Sequence, residues 1–145
     1  MSSSPDDPAF GLVLRPSAIT AFSRGSGVST VPFVGHWNSE LSTITTGMTV
    51  FPPGTAIPLH THNVEETVLV LRGEATAVLG DQSVDLTAGE ATWVAAGVPH
   101  RFVNRGAGEL AIYWTYAGRF VTRTTVSTGR TVVHLSEEDR GASGS

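Results

Sequence analysis

Residues 54–73 hold two imidazoles and a carboxylate at spacings that let them grip one metal ion, in the run Gly54-Thr-Ala-Ile-Pro-Leu-His60-Thr-His62-Asn-Val-Glu-Glu66-Thr-Val-Leu-Val-Leu-Arg-Gly73. Side chains alternate along a strand, so residues two apart share a face. His60 and His62 therefore point the same way, and Glu66 keeps their parity if the chain stays extended. A third imidazole, His100, follows in Gly89-Glu-Ala-Thr-Trp-Val-Ala-Ala-Gly97-Val-Pro-His100-Arg-Phe-Val-Asn104. Three neutral imidazole nitrogens and one carboxylate oxygen suit one divalent transition metal ion: Mn, Fe, Co, Ni, Cu or Zn. Four protein ligands leave two positions of a six-coordinate ion open to water, a substrate oxygen or dioxygen. Glu65 is the rival carboxylate, but its parity turns it to solvent or the rim. His36 and His134 lie outside both runs, where a lone histidine is ordinarily structural or exposed.

Two absences narrow the remaining chemistry. The chain has no cysteine, which removes thiolate nucleophiles, thiolate metal ligands and disulfides. It also has no lysine, all 9 cationic side chains being arginine, which removes Schiff-base catalysis. Proton transfer would then fall to Glu66, Tyr113, Glu90 or a metal-bound water. Formal charge is −4, which argues against a nucleic-acid groove or an anionic membrane as partner. No run of 18 apolar residues exists, and residues 1–8 do not read as a signal peptide, so a cytoplasmic protein is expected.

The elements that must position these groups are short strands. At 145 residues the chain is one domain, and 40 % hydrophobic content with 16 Gly and 8 Pro suits strands and turns. Residues 28–34, 42–51, 65–72, 75–79, 83–86, 91–94, 101–103 and 110–116 read as strands. Gly80-Asp81 is a hairpin signal, and Thr87-Ala-Gly89 and Arg105-Gly-Ala-Gly108 are further turns. Ser136 opens a short helical turn to Arg140. This pattern predicts an all-β fold, a small closed antiparallel barrel or sandwich. The strand after Glu66 carries apolar residues on both faces: Val68 and Val70 on that of Glu66, Leu69 and Leu71 on the other. Burial on both sides is expected, with residues 120–126 and 131–135, or a second subunit, as cover. Met48, Val50, Val68, Val70, Trp93, Phe102, Ile112, Tyr113 and Trp114 are the expected pocket lining, mostly apolar around a polar centre. Asn104 shares the parity of His100, but Asn also serves turns.

The two runs resemble the paired signature motifs of the cupin superfamily. The first family pattern, G-x5-H-x-H-x3-E-x6-G, fits Gly54, His60, His62, Glu66 and Gly73 without a gap. The second, G-x5-P-x-G-x2-H-x3-N, fits Gly89, Gly97, His100 and Asn104, with Ala95 where the family usually has proline. The resemblance implies a double-stranded β-helix, or jelly roll, with a six-coordinate ion held by His60, His62, Glu66 and His100. It places a leading strand and tail in residues 1–26, the barrel in 27–126, and a last strand and mobile tail in 127–145. The expected function is a metal-dependent enzyme acting on a small organic molecule, by dioxygenase-type or Lewis-acid isomerase, cyclase or lyase chemistry. The alternative is a non-catalytic binder or sensor of a metal or small ligand. A homodimer is expected, with no nucleic-acid or membrane partner.

Overall fold

The computed structural model describes residues 11–139. The expectations of mobile ends at residues 1–9 and 140–145 fall outside that range. After a single 3-10 turn at Pro16–Ala18, the described chain is built of strands. Two of them, β1 (Phe22–Gly25) and β2 (Val28–Pro32), form an antiparallel hairpin that leads into β3 (Thr45–Phe51). The short β4 (His60–His62) and long β5 (Glu66–Arg72) carry the first motif. Then come β6 (Glu74–Leu79), β7 (Gln82–Thr87), β8 (Ala91–Val94), β9 (His100–Val103) and β10 (Leu110–Tyr116). The chain closes with β11 (Thr122–Thr125) and β12 (Thr131–Val133).

These strands form two six-stranded antiparallel sheets, in the orders β1-β2-β3-β10-β5-β8 and β12-β11-β4-β9-β6-β7. The fold is an all-β jelly roll. The sheets face one another without closing into the expected barrel, and β1 and β12 extend them past residues 27–126. Among the described residues, no helix is long and apolar enough to cross a membrane.

Strand alternation builds the core. On β5, Glu66, Val68 and Val70 are buried while Thr67, Leu69 and Leu71 are exposed. On β10, Ile112, Trp114 and Tyr116 point inward against Val68, Val70 and Glu66 across the ladder. Phe51, Leu110, Ala75, Ala77 and Phe102 complete the packing between the sheets. Each large apolar side chain buried there contributes roughly 1.5–3 kcal/mol. Gly47 makes room for Trp114, since a Cβ at that position would lie 2.4 Å from the indole. At Gly73 the backbone has φ +85°, and a Cβ there would run into the Glu109 carbonyl, so the motif's closing glycine is required by both shape and conformation.

Among the described residues, the expected cover of the outer face is absent. Leu69 and Leu71 remain 37 % and 41 % exposed, and Trp93 59 %. The late segments pair instead at the edge of β4, where Arg123 lies opposite His62 and Thr125 opposite His60. Asn63 directs them there: its Nδ2 donates to Phe120 O, and its Oδ1 accepts from Thr122 N.

Asn104 serves the turn rather than the pocket. It is 1 % exposed, its Nδ2 donates to Phe51 O and Gly108 O at 2.9 Å each, and its Oδ1 accepts from Gly106 N at 3.0 Å. Asn104→Ala strands these backbone groups and is expected to lower unfolding free energy by about 2–4 kcal/mol in urea titration. A loss under about 0.5 kcal/mol would mean that the loops hold without it.

Candidate metal centre

Both sheets contribute to the site. His60 and His62 come from β4, and His100 stands directly across the ladder from His60 on β9. Glu66 arrives from β5 in the facing sheet, where Tyr116 of β10 is its ladder partner. The four side chains are 3–5 % exposed. The rings of His60, His62 and His100 lie 4.6–5.2 Å apart, and one nitrogen from each falls within 4.8 Å of the others. Glu66 Oε1 lies 2.8 Å from Nε2 of His100. The structure thus brings the three imidazoles together, with Glu66 in contact with His100.

Backbone carbonyls decide which nitrogen of each ring faces inward. Nδ1 of His60 donates to Pro58 O at 2.8 Å, Nδ1 of His62 to Thr122 O at 2.9 Å, and Nδ1 of His100 to Val98 O at 2.8 Å. A carbonyl oxygen only accepts, so each Nδ1 must carry the proton. In His60 and His62 the neutral ring then presents a bare Nε2 lone pair. Nε2 of His62 is buried with no hydrogen-bond partner among the described residues, and Nε2 of His100 faces the Glu66 carboxylate. Leaving such a lone pair buried and unused is costly. Oriented imidazoles with an anionic oxygen beside them are a donor set that fits a divalent ion.

Electrostatics keep two of the rings neutral. Burial pushes the His60 pKa well below its usual value, reinforced by His62 and His100. Burial lowers His62 to about 4, against the opposing pull of Glu66. Burial also lowers His100, but its contact with the Glu66 carboxylate overcomes this and raises it overall. His100 Nε2 and Glu66 Oε1 lie 2.8 Å apart, so one proton is shared between them when no metal is bound. Burial and the adjacent Glu66 carboxylate push the Tyr116 phenol well above its usual value, so it stays protonated.

The cavity around these groups measures about 30 Å³. Val68, Phe102, Ile112 and Trp114 line it as expected. Val70 is buried in the core but does not reach the cavity wall. Met48, Val50 and Tyr113 are not on the wall, because Thr49 and Phe51 take the inward positions of β3, and Met48 and Val50 pair with Tyr113 and Ala111 on the outer face. Tyr113 packs on Phe33 with ring centres 5.9 Å apart. Trp93 lies outside, its Nε1 donating to Glu65 Oε1 at 2.9 Å, which also places Glu65 at the surface. Glu90 is exposed and accepts from Thr87 N at 2.7 Å, so it belongs to a turn.

The sequence reading missed several residues on the wall: Tyr116, His134, Arg24, Arg123, Thr49, Phe51 and Ile57. Tyr116 shares the parity of Ile112 and Trp114 and was within reach of that argument. His134, expected to lie outside the site, packs against Tyr116 at 5.0 Å and Trp114 at 5.2 Å. Its Nε2 accepts from Arg24 Nη2 at 3.1 Å, and burial holds its pKa well below the usual value.

These shifts set a pH dependence for the metal-free protein. His60, His62 and His134 bind protons more weakly folded than unfolded, so acidification below the unfolded value of about 6.5 favours unfolding. His62 alone contributes roughly 3 kcal/mol, lost as pH falls from 6.5 towards its folded value of about 4. His100 acts in the opposite sense, being one raised group against three lowered ones. Thermal melts of chelator-treated protein are expected to fall steadily over that window; a flat profile would contradict the burial of neutral imidazoles.

Comparison with known proteins bears on this geometry. A cupin domain family model matches residues 47–116, which hold both motifs. Among curated proteins, no sequence matches the chain. An RmlC-like cupin from Shewanella frigidimarina superposes with a TM-score of 0.63 at 18 % identity, over 72 % of this chain and 88 % of that one. A predicted oxalate decarboxylase from Thermotoga maritima gives 0.64 at 24 % identity, over 74 % and 99 %. Bacillus subtilis oxalate decarboxylase, which has Mn(II) centres, gives 0.67 at 18 % identity, over 74 % of this chain but only 30 % of that one. This chain therefore spans under a third of that enzyme's length. At such identities the likeness is one of fold. With the motifs, the jelly roll and the matched model in agreement, residues 47–116 of the chain form a cupin domain.

Proposed function

We infer that this chain is a metal-dependent enzyme acting on a small organic molecule. His60, His62, His100 and Glu66 would hold one divalent transition metal ion. The observation that carries the reading is the set of three Nδ1–H···O=C bonds, which turn ring nitrogens from two strands toward one point. Nine-tenths burial of the donor set, the lowered pKa values of His60 and His62, and the Mn(II) centres of a structural neighbour support it.

When bound, such an ion supplies Lewis-acid polarisation of a substrate oxygen, for isomerase, cyclase or lyase chemistry, or dioxygenase-type chemistry if it is redox-active. The chain's own groups have definite parts. Glu66 carries negative charge to the site and, through His100, a proton that metal uptake would release. Tyr116 keeps its hydroxyl proton beside Glu66 and replaces Tyr113 as the phenol in position to donate. Phe51, Val68, Phe102, Ile112 and Trp114 exclude water and limit the reactant to a small one.

Elemental analysis of the purified chain is expected to find close to one transition metal ion per chain. His60→Ala and His100→Ala should each abolish stoichiometric uptake, and removing the ion should lower Tm. Full uptake by His100→Ala would overturn the assignment.

We further propose that a second copy of the chain covers the outer face of β5 and β8. Leu69, Leu71 and Trp93 leave that face apolar and open. Light scattering at micromolar concentration is expected to give twice the chain mass, and Leu69→Glu to halve it. A wild-type monomer would contradict the proposal.

A further inference from the structure

The metal cavity is too small for most organic molecules. A water needs about 10–15 Å³ of such space, so a cavity of about 30 Å³ holds the reacting atoms of a substrate and little more. A larger hollow adjoins it. β1 and β12 end the two sheets on one flank, where Arg24 of β1 bonds to His134 just past β12. Beside that contact lies a groove of about 380 Å³, within the range of about 300–1,000 Å³ usual for small-molecule sites. His134 is the one described residue on the walls of both spaces.

Ala21, Pro32, Trp37, Val133 and Leu135 make the groove largely apolar, and its described lining includes no Asp, Glu or Arg. A charged ligand would lose its water there and gain no countercharge, so the groove selects an uncharged one. Trp37 gives it a flat face. The indole is 38 % exposed yet held in place: a Cβ on Gly35 would run into its ring, and His36 packs edge-on at 5.4 Å. Asn38 fixes this loop, accepting from Gly35 N at 3.0 Å and donating to Phe33 O at 2.6 Å. A ring positioned before any ligand arrives loses little freedom on binding and favours a flat, unsaturated partner.

The partition between the two spaces carries local costs. Leu135, next to His134, has φ +63°, a left-handed conformation that a bulky side chain rarely takes. The Ser136 hydroxyl is buried without a hydrogen-bond partner among the described residues. A segment bearing both gives up less on shifting than the ladders around it. We propose that the groove binds the body of the reactant, an uncharged molecule with a single flat ring, and that its reactive end reaches the ion past His134. This rests on the reading of the cavity as a metal-dependent site, and adds the reactant's class and its docking surface.

Acetophenone is the probe, with cyclohexyl methyl ketone lacking the flat ring and benzoate adding charge. Proton–nitrogen correlation spectra of chelator-treated protein follow the Trp37 indole N–H and the amides of residues 133–136. Acetophenone is expected to move these signals saturably, binding about threefold or more tighter than cyclohexyl methyl ketone and about tenfold or more tighter than benzoate. Trp37→Ala should erase the preference for the flat ring at unchanged metal content, and Trp37→Phe should keep part of it. In the Mn(II)-loaded protein the bound ketone's methyl protons should relax faster than in the zinc-loaded form, and by a larger factor than its para ring proton. Equal binding of the probes, no binding, indifference to Trp37→Ala, or equal relaxation in the two metal forms would overturn the assignment. So would a Trp37 signal that moves with protein concentration but not with acetophenone, which would give the groove to a second copy of the chain. A chain that takes up neither ion would count against the metal reading instead, since binding is read separately on metal-free protein.

Discussion

Three backbone carbonyls, those of Pro58, Val98 and Thr122, fix the character of this site. An imidazole offers two chemically alike nitrogens, and without a fixed partner either can hold the proton. Here each ring gives its Nδ1 hydrogen to main chain that cannot shift without moving a strand. Two carbonyls lie two residues before their own histidine, so the turn leading into each strand sets the tautomer. The third belongs to β11, across the ladder from β4. This late strand is thereby part of the site even though it carries none of its donors.

The same edge brings the site its charge. By pairing beside β4, β11 sets Arg123 opposite His62, and the turn after β12 returns Asp139 between Arg123 and Arg24. One sheet then supplies the three donor imidazoles and the Arg123 guanidinium, while the facing sheet supplies Glu66, Tyr116 and most of the apolar wall. The result is a small cavity lined by imidazoles, a carboxylate, two guanidiniums and apolar side chains. In so low a dielectric each of these groups acts more strongly than it would in water.

The legible parts of the sequence were those governed by local periodicity. Parity alone picked out His60, His62 and Glu66, and rejected Glu65. Strand boundaries from β5 to β10 fell close to the apolar runs that predicted them. The inward set on β10 was half legible: Ile112 and Trp114 were chosen, but Tyr113 was preferred to Tyr116, although alternation favours the latter. Met48 and Val50 failed for a related reason, since the polar Thr49 points inward to accept from Trp114 Nε1 at 2.9 Å. An apolar-in rule misplaces that strand by one residue. Arg123, Asp139 and His134 were out of reach. Their place depends on which edge the late strands join, and that is a long-range choice made by Asn63 and its two hydrogen bonds.

The account stands on imidazoles protonated at Nδ1, with Nε2 directed at a shared ion. Long-range proton–nitrogen correlation spectra of the zinc-loaded protein at neutral pH read this directly. The account predicts that His60, His62 and His100 each show a protonated Nδ1 and an Nε2 shifted by the metal. An Nε2-protonated ring among the three, or Nε2 resonances indifferent to zinc, would contradict it.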